Sequence, residues 1–420
     1  MDIVLNLQFN VDSLGIIFSV LSVIIFLTAG VFSFEYMKHE GHHIRYTVFY
    51  LLSFIVFQAL CFAGNLITYY LFFEMLTLAT FPLVLHNGSK EATMAGLKYL
   101  FYSLCGAYMV LFGLYFSASS LSFTENGYMT EYITTSSAKG GNALYLLCIT
   151  LMIFGFGVKA GMFPMHAWLP TAHPVAPAPA SAVLSAIIVK AGVLGIIRTV
   201  FYVYGKDFIK GNYVQNLWMI ITLITVFMGS MLAYRENGLK KRLAYSTVSQ
   251  ISYILFGLAT VTDNGFDGAI LQVCAHGVVK CGLFLCAGAI IYKTGKTKVS
   301  ELRGIGKQMP VTMICFTVLS LSLIGIPPTG GFVSKWYLAM GGLESDVPVL
   351  GVLGPVILLV SALLTAGYLL PISMRGFFPG DDFDSENCEN LEPNMLMTVP
   401  IIVLTVLAVA IGMVPQFIIG

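Results

Sequence analysis

Long apolar runs separated by short polar stretches dominate the chain, and they do not show the alternation typical of membrane β-strands. An α-helix needs about 20 mainly apolar residues to cross the hydrocarbon core of a bilayer. The pattern therefore predicts an all-α, polytopic membrane bundle of about 12 transmembrane helices. The predicted spans are 11–34, 46–63, 65–86, 93–118, 143–163, 175–203, 213–233, 241–261, 266–292, 310–328 with a continuation to 343, 348–376 and 395–418.

The composition supports this prediction and excludes a soluble enzyme. Hydrophobic residues make up 57% of the chain and charged residues only 10%, whereas soluble domains carry about 25% charged residues. The net charge of +1 gives no reason to expect a nucleic-acid partner. The longest predicted loops, 119–142 and 377–394, leave no room for an inserted soluble domain. We therefore expect residues 1–420 to form a single membrane domain, with no cleavable signal peptide before the first span.

Lysine and arginine are distributed unevenly between the two sets of alternate loops. One set holds most of them, including Lys240, Lys241 and Arg242 in a row, and the opposite set holds few. Cytoplasmic loops carry an excess of these residues. The richer set is therefore predicted to be cytoplasmic, with both termini of the chain on the outer side.

Several ionisable residues lie inside the predicted spans, where a charge is costly unless it faces a protein interior or a water-filled path. His276 and Lys280 are four residues apart and share one helix face. At an effective dielectric constant of about 20, moving an opposite charge to about 4 Å changes the energy of an ammonium by roughly 4 kcal/mol. Lysines that exchange partners are thus suited to passing protons, whereas arginine stays charged. The candidate proton-transfer residues are Glu74, Lys159, Lys190, His276, Lys280 and Lys335.

Two predicted helix breaks lie beside candidate lysines. Gly161 and Pro164 follow Lys159, with further glycines at 155 and 157 that we expect to loosen the helix around the lysine. Pro327 and Pro328 interrupt the tenth span before Lys335. Matching breaks predict two inverted five-helix repeats, each with one discontinuous helix, and a transport site near the membrane midplane. The repeats are predicted at 46–203 and 213–376.

Each candidate also has a plainer interpretation. Glu74 would be a structural partner of one lysine, Lys159 would bind the carbonyl groups freed at the break, and Lys190 would form an ordinary buried ion pair. His276 would be an interhelical hydrogen bond, and Lys335 would extend toward the membrane surface. His166 and His173, near the first break, are either further relay groups or loop histidines.

Five sequence blocks resemble the antiporter-like membrane subunits of respiratory complex I, energy-converting hydrogenases, formate hydrogenlyases and Mrp-type cation/proton antiporters. The blocks are NLITYYLFFEMLTLATFPLVLH, GVKAGMFPMHAWLPTAHPVAPAPASAVLSAIIVKAG, RENGLKKRLAYSTVSQISYILFGLA, HGVVKCGLFLCAGAI and GIPPTGGFVSKW. The resemblance extends from about Asp12 to the C-terminus. The AHPVAPAPAS connector is closer to the hydrogenase branch, and HGVVKCGLF is also close to the Mrp branch.

The resemblance implies a role for each candidate. Glu74 matches the coupling glutamate of the family, Lys159 its partner lysine and Lys190 the central lysine of the next helix. His276 and Lys280 match the relay of the second half. Lys335 matches the distal residue at the second break. Protons would move along a hydrated axis at the middle of a prokaryotic inner membrane, driven by redox chemistry in other membrane subunits of a larger complex.

Members of this family usually have fourteen spans, and this chain resembles them from the third span onward. A small neighbouring subunit would replace the missing pair, or the pair would be dispensable. The sequence leaves three functions open: a proton-translocating subunit of a redox complex, an Mrp-type Na⁺/H⁺ antiporter subunit, or a non-conducting scaffold. We find no nucleotide-binding loop, haem ligand pair or cluster motif. We therefore expect no cofactor, no metal and no catalytic chemistry of the chain's own.

Overall fold

The computed structural model describes residues 7–118, 143–380 and 389–419. These residues form a bundle of α-helices, as the apolar pattern predicts, and contain no β-strand beyond two isolated bridges. The main helices are α1 (Ser13–Glu40), α2 (His43–Cys61), α3 (Leu66–Val84), α4 (Lys90–Ala118), α5 (Ala143–Ala160), α6 (Leu169–Val175), α7 (Ala178–Tyr204), α8 (Tyr213–Arg235), α9 (Leu239–Ala259), α10 (Asp263–Thr294), α11 (Pro310–Ile324), α12 (Gly330–Leu343), α13 (Pro348–Phe377) and α14 (Met395–Met413).

Ten of these helices are long and apolar enough to cross a membrane: α1 to α5, α7, α8, α10, α13 and α14. The eighth predicted span, 241–261, is α9, which has 21 residues but carries many polar side chains that are buried within the protein. The tenth, 310–328 with its continuation to 343, is the broken pair α11 and α12. The described part of the chain therefore contains a helix for each of the twelve predicted spans, and the protein is a multi-pass membrane protein.

Helices α7 and α10 form the centre of the bundle. The apolar segment of α7 is completely buried, and 94% of that of α10 is buried. α10 packs against α1, α7, α9, α11, α12 and α14. α7 in turn packs closely on α5 through a small residue: a Cβ atom at Gly192 of α7 would lie 2.3 Å from the Phe156 carbonyl oxygen of α5. Small residues at such contacts are how membrane helices pack tightly.

The first helix break lies where the sequence predicts it, but its extent differs. Gly155 and Gly157 do not loosen the helix, since α5 continues through both to Ala160. Gly155 instead allows α5 to contact α4, because a Cβ atom there would lie 2.4 Å from the Gly106 carbonyl oxygen. The break itself begins at Gly161, whose φ of +80° favours glycine. The chain then resumes as the short helix α6.

Helix α7 contains two π-helical segments that the sequence pattern does not predict. They span Leu184–Ile188 and Arg198–Tyr204. A π-helix pairs each N–H with the carbonyl five residues earlier, which leaves neighbouring carbonyl groups available to side chains. The first segment lies immediately before Lys190.

An ion pair connects the beginning of α1 to the end of α7. Asp12 accepts two hydrogen bonds from the Arg198 guanidinium, at 2.5 and 2.7 Å, and caps α1 by accepting a third from the Gly15 N–H at 3.0 Å. Burial tends to raise the pKa of the Asp12 carboxyl, but the hydrogen bonds and charge of Arg198 outweigh it and lower the pKa below its usual value of 3.8. The sequence analysis did not identify this pair.

We predict that Asp12→Asn destabilises the protein by about 1–3 kcal/mol, because the buried guanidinium loses its charged acceptor. Because folding lowers the carboxyl pKa, the stabilisation from this pair is complete above the unfolded-state pKa and is lost as pH falls through the folded-state value. Thermal unfolding of wild type and variant in detergent, between pH 7 and pH 3, tests both points. Equal melting temperatures at pH 7 would contradict the prediction.

Candidate functional site

Lys159, near the end of α5, is almost completely buried among hydroxyl groups and aromatic rings. Its Nζ atom donates to Thr77 Oγ1 at 2.7 Å and to the Tyr99 hydroxyl at 2.8 Å. Tyr99 is also hydrogen-bonded to Thr80 at 2.7 Å. The ammonium lies 5.0 Å from the centre of the Tyr99 ring and 5.5 Å from that of Phe73, within the range of a cation–π interaction. The lysine does not bind the carbonyl groups freed at the break.

Glu74, on α3, is half-buried one helical turn before Thr77. Its Oε1 atom is buried and has no hydrogen-bond partner among the described residues. Lys159 is the cation that acts on the carboxyl group electrostatically, but the two side chains do not approach within the 4 Å of an ion pair. Glu74 and Lys159, which the sequence analysis paired, are therefore not in direct contact, and Lys159 is bound to two hydroxyl groups instead.

Lys190 of α7 and His276 of α10 are in direct contact. The Lys190 Nζ atom lies 2.9 Å from His276 Nδ1, and both side chains are buried. The other ring nitrogen of His276, Nε2, is buried and has no partner among the described residues. An ammonium that donates to Nδ1 requires the neutral imidazole to carry its proton on Nε2. The pair consists of two bases that compete for one proton.

The π-helical segment before Lys190 supplies the remaining contacts of the ammonium. Nζ donates to the Ala186 carbonyl and, at 3.4 Å, to that of Ser185. These carbonyls belong to the segment in which the helical hydrogen bonds are displaced. The irregular backbone therefore solvates a lysine that has no carboxylate within 4 Å among the described residues.

Lys280, one turn after His276, points to α9 rather than to Lys190. Its Nζ atom donates to the Leu243 carbonyl at 2.9 Å and to the Ser246 hydroxyl. Thr247 donates to the same carbonyl at 2.9 Å, and its hydroxyl lies 2.7 Å from that of Ser185. Side-chain hydroxyls therefore connect the surroundings of Lys280 with the π-helical segment that binds Lys190.

A second polar cluster lies one turn before His276 on α10. Gln272 donates to Gln250 of α9 at 2.9 Å and accepts from the Ser334 hydroxyl of α12 at 2.5 Å. All three residues are buried. The sequence analysis did not identify them, nor Ser246, although the polar positions of α9 recur at helical spacing within an otherwise apolar bundle.

Lys335, on α12, takes a different position from the other lysines. Its half-buried side chain reaches back across the second break, and Nζ donates to the carbonyls of Leu323 and Ile324 at 2.6 and 2.8 Å. These are the last carbonyls of α11, where a cation is favoured by the helix dipole. The ammonium also lies 5.1 Å from the Tyr253 ring centre. No hydrogen bond among the described residues joins Lys335 to His276.

Of the two remaining histidine candidates, His173 lies in a helix, whereas His166 lies in the turn that forms the first break. His173 lies in α6, completely buried, with its ring 4.9 Å from that of Phe284 and neither nitrogen hydrogen-bonded within the described structure. His166 lies within the break and is half-buried. Among the break residues, Gly161 has a left-handed backbone, while Pro164, Pro327 and Pro328 lie in the non-helical stretches that separate α5 from α6 and α11 from α12.

The candidate residues thus form one central group and two outlying sites. One outlying site holds Glu74 and Lys159, and the other holds Lys335. Lys190, His276 and Lys280 belong to the central group on α7, α9 and α10. Phe73 and Phe156, whose ring centres are 5.1 Å apart, pack between α3 and α5 next to Lys159. The described residues contain no hydrogen bond from Lys159 to Lys190. They also contain no group of histidine, cysteine and carboxylate side chains arranged to hold a metal ion.

Comparison with known proteins identifies the family. The family model described as "NADH:quinone oxidoreductase/Mrp antiporter, TM" matches residues 63–365, which include every site residue discussed above. The chain belongs to this family. A relative named NADH-quinone oxidoreductase subunit N, from Desulforudis audaxviator, is 33% identical over 87% of this chain and 73% of its own.

Other family members cover the chain to different extents. Hydrogenase-4 component B from Escherichia coli is 31% identical over 79% of this chain, but the match spans only half of that longer protein. A subunit of the membrane-bound sulfane sulfur reductase, an archaeal respiratory membrane complex, has the same fold. It superposes with a TM-score of 0.87 over all of this chain and 82% of its own, at 21% identity.

The contacts of the lysines generate a prediction about stability. We expect Lys190→Met to leave the melting temperature unchanged or to raise it, because removing a fully buried amine that has no carboxylate offsets the loss of its hydrogen bonds to two carbonyls and His276. We expect Lys335→Met, in contrast, to destabilise the protein by about 1–3 kcal/mol, because two helix-end carbonyls lose their donor. Thermal unfolding in detergent at neutral pH tests the difference. A larger loss in Lys190→Met than in Lys335→Met would indicate that Lys190 is retained for structure.

Proposed function

We propose that this protein is the proton-translocating, antiporter-like subunit of a multisubunit membrane redox complex, of the energy-converting hydrogenase, formate hydrogenlyase or complex I type. The observation that carries the proposal is the set of buried lysines with no carboxylate within 4 Å among the described residues. Such amines are costly to keep charged. A protein gains from them only if they bind and release protons.

The contact between Lys190 and His276 is suited to a proton step. Proton transfer from Lys190 Nζ to His276 Nδ1 breaks one N–H bond and forms another across 2.9 Å. The imidazolium then releases the proton bound at Nε2 to a water molecule, the acceptor that this proposal requires at that buried nitrogen, and a neutral lysine remains. Lys280, four residues further along α10, repels a charged imidazole and so favours that release. The hydroxyl groups of Ser185 and Thr247 lie between the two lysines.

Glu74 and Lys159 are suited to controlling when a proton is released rather than to passing protons along the protein. The carboxylate and the ammonium act on each other electrostatically without forming an ion pair. A rearrangement of the Thr77 and Tyr99 hydroxyls would let them close, and at about 4 Å the attraction would be roughly 4 kcal/mol at an effective dielectric constant of about 20. Closing the pair would hold the Lys159 proton, and opening it would let the proton leave. A partner subunit that moves Glu74 would thereby couple its own reaction to proton movement.

We also propose the arrangement of the protein in its membrane. The surplus of lysine and arginine in one set of loops supports an orientation in the prokaryotic inner membrane with both termini outside. The matching broken helices, α5–α6 and α11–α12, support inverted repeats over residues 46–203 and 213–376. Its partners would be other membrane subunits, including further antiporter-like ones, as in the respiratory complexes named for its relatives.

An Mrp-type Na⁺/H⁺ antiporter subunit is the second candidate function, because the family description includes the Mrp antiporter. The central contacts favour protons. Lys190 binds two carbonyls and an imidazole with its own ammonium, at the place where a sodium ion would need oxygen ligands. A non-conducting scaffold, the third candidate, gives no reason to keep lysines buried without acids.

We predict that Glu74→Gln and Lys159→Ala each abolish proton translocation while the complex still assembles. Both changes remove a charge that the coupling step requires, but neither removes an ion pair from the folded protein. Redox-driven acidification of inverted membrane vesicles, followed with a pH-sensitive dye, measures the first effect, and native gel electrophoresis measures the second. Lys90→Ala and Glu91→Gln, at exposed positions of α4, are matched controls that should pump normally.

Two outcomes would contradict this proposal. Wild-type pumping in both variants would exclude the assigned roles of Glu74 and Lys159. Acidification that requires sodium in the vesicles, and that stops when sodium is replaced by potassium, would favour the antiporter function over the redox-driven one.

A further inference from the structure

A long groove runs along the outside of α1 and α2, away from the candidate proton-transfer residues. Its volume is about 670 Å³. Its lining is apolar along most of its length, with Val23, Phe26, Leu27 and Phe54 at one end. At the other end the lining changes to Lys38, His43, Tyr46 and Thr47. Among the described residues no carboxylate lines the groove, and Glu35 lies beside it in an ion pair with Lys38.

The dimensions of the groove match one leaflet of a bilayer. From Val23 to Lys38 the axis of α1 advances by about 22 Å at 1.5 Å per residue. Half of the hydrocarbon core measures about 15 Å. The groove therefore extends from the headgroup region to about the middle of the membrane, with its cationic end at the surface and its apolar end among the acyl chains.

The polar end of the groove has hydrogen-bond donors with unused capacity. Lys38 is exposed and gives one of its three hydrogens to Glu35 at 2.7 Å. Glu35 is also held from the opposite side by the Tyr292 hydroxyl at 3.1 Å. His43 and Thr47 are exposed. Two lysine hydrogens, an imidazole and a hydroxyl thus face a position where a phosphate group would lie.

Tyr46 provides an independent sign of a missing ligand. The residue is 2% exposed, lines the groove and has no hydrogen bond of normal geometry from its hydroxyl within the described structure. The nearby Ser33 hydroxyl donates to the Gly30 carbonyl at 2.7 Å. A buried hydroxyl without a partner costs about 1–3 kcal/mol. An ester or phosphate oxygen in the groove would remove that cost.

We propose that this groove binds one anionic phospholipid, with an acyl chain along α1 and α2 and its phosphate at Lys38 and His43. The donor-rich end, where Lys38 has two further hydrogens beside its ion pair with Glu35, selects an anionic phosphate group, and the apolar end selects a hydrocarbon chain. This inference is independent of proton translocation, since none of the lining residues belongs to the candidate site. The lipid would fix the position of α1, which packs against α10 and α14.

Two substitutions test the groove in different ways. Gly30→Leu fills it: a Cβ atom at Gly30 would lie 3.6 Å from the Tyr50 ring, an ordinary contact, so the added side chain extends into the groove without displacing the backbone. Tyr46→Phe removes only the unpaired hydroxyl, and so leaves folding unchanged or improved in the absence of lipid. Val20→Leu enlarges an exposed residue of α1 outside the groove and is the matched control.

The experiment uses the full chain, in the complex with which it purifies, reconstituted into phosphatidylcholine nanodiscs containing phosphatidylglycerol with a photoreactive acyl chain. Crosslinked peptides are then mapped by mass spectrometry. We expect labelling concentrated on residues 23–54, reduced at least fivefold in Gly30→Leu and at least twofold in Tyr46→Phe, and unchanged in Val20→Leu. Melting temperatures show that each variant is folded.

Four results would overturn the proposal. The first is labelling spread evenly over all lipid-facing helices, and the second is wild-type labelling of residues 23–54 in Gly30→Leu and Tyr46→Phe. Equal labelling by a phosphatidylcholine probe would remove the preference for an anionic headgroup. Crosslinks from these residues to another polypeptide instead of lipid would assign the groove to a partner helix. If Gly30→Leu does not fold, Tyr46→Phe alone decides between the outcomes.

Discussion

The structure depends on one constraint: an ammonium group in the interior of a membrane protein must be solvated by something. In most proteins a carboxylate does this, but no carboxylate lies within 4 Å of Lys159, Lys190, Lys280 or Lys335 among the described residues. Dipoles replace it. Lys159 has two hydroxyls, Lys280 a hydroxyl and a carbonyl, and the other two have carbonyls from irregular helix segments. Dipoles stabilise the charge less than an anion would, and the proposed function requires this so that the proton can exchange.

The irregularities of the helices follow from this requirement. The interior carbonyl groups of a regular α-helix already accept a backbone N–H and have one further lone pair, which Lys280 uses at Leu243 of α9. The π-helical segment Leu184–Ile188 and the broken end of α11 present further carbonyl groups, and a lysine binds at each. The first break differs, because the Trp168 indole N–H donates to the Val158 carbonyl at 2.9 Å. Lys159 instead donates to the hydroxyl groups of Thr77 and Tyr99. The two broken helices thus support their lysines in chemically different ways.

The sequence predicted the fold, whereas the roles assigned to the ionisable residues stay predictions. Twelve apolar runs, two glycine–proline breaks and the face shared by His276 and Lys280 all follow from residue spacing. The partners of those residues did not follow. Lys190 and His276 are 86 positions apart, and their contact depends on how α7 packs on α10. The sequence analysis missed Gln250 and Gln272 because it searched the apolar runs for ionisable residues, and an amide side chain is uncharged. The π-helical segments have no known residue pattern that would reveal them.

Helix α9 has a consequence for how the protein is made. It supplies contacts for Lys280 and Gln272, and nearly every residue along it is buried against other helices. For the same reason it is the one long helix of the described chain that falls short of the hydropathy needed to enter lipid unaided. We expect α9 to enter the membrane together with α8 or α10, the helices that pack against it and cover its polar side.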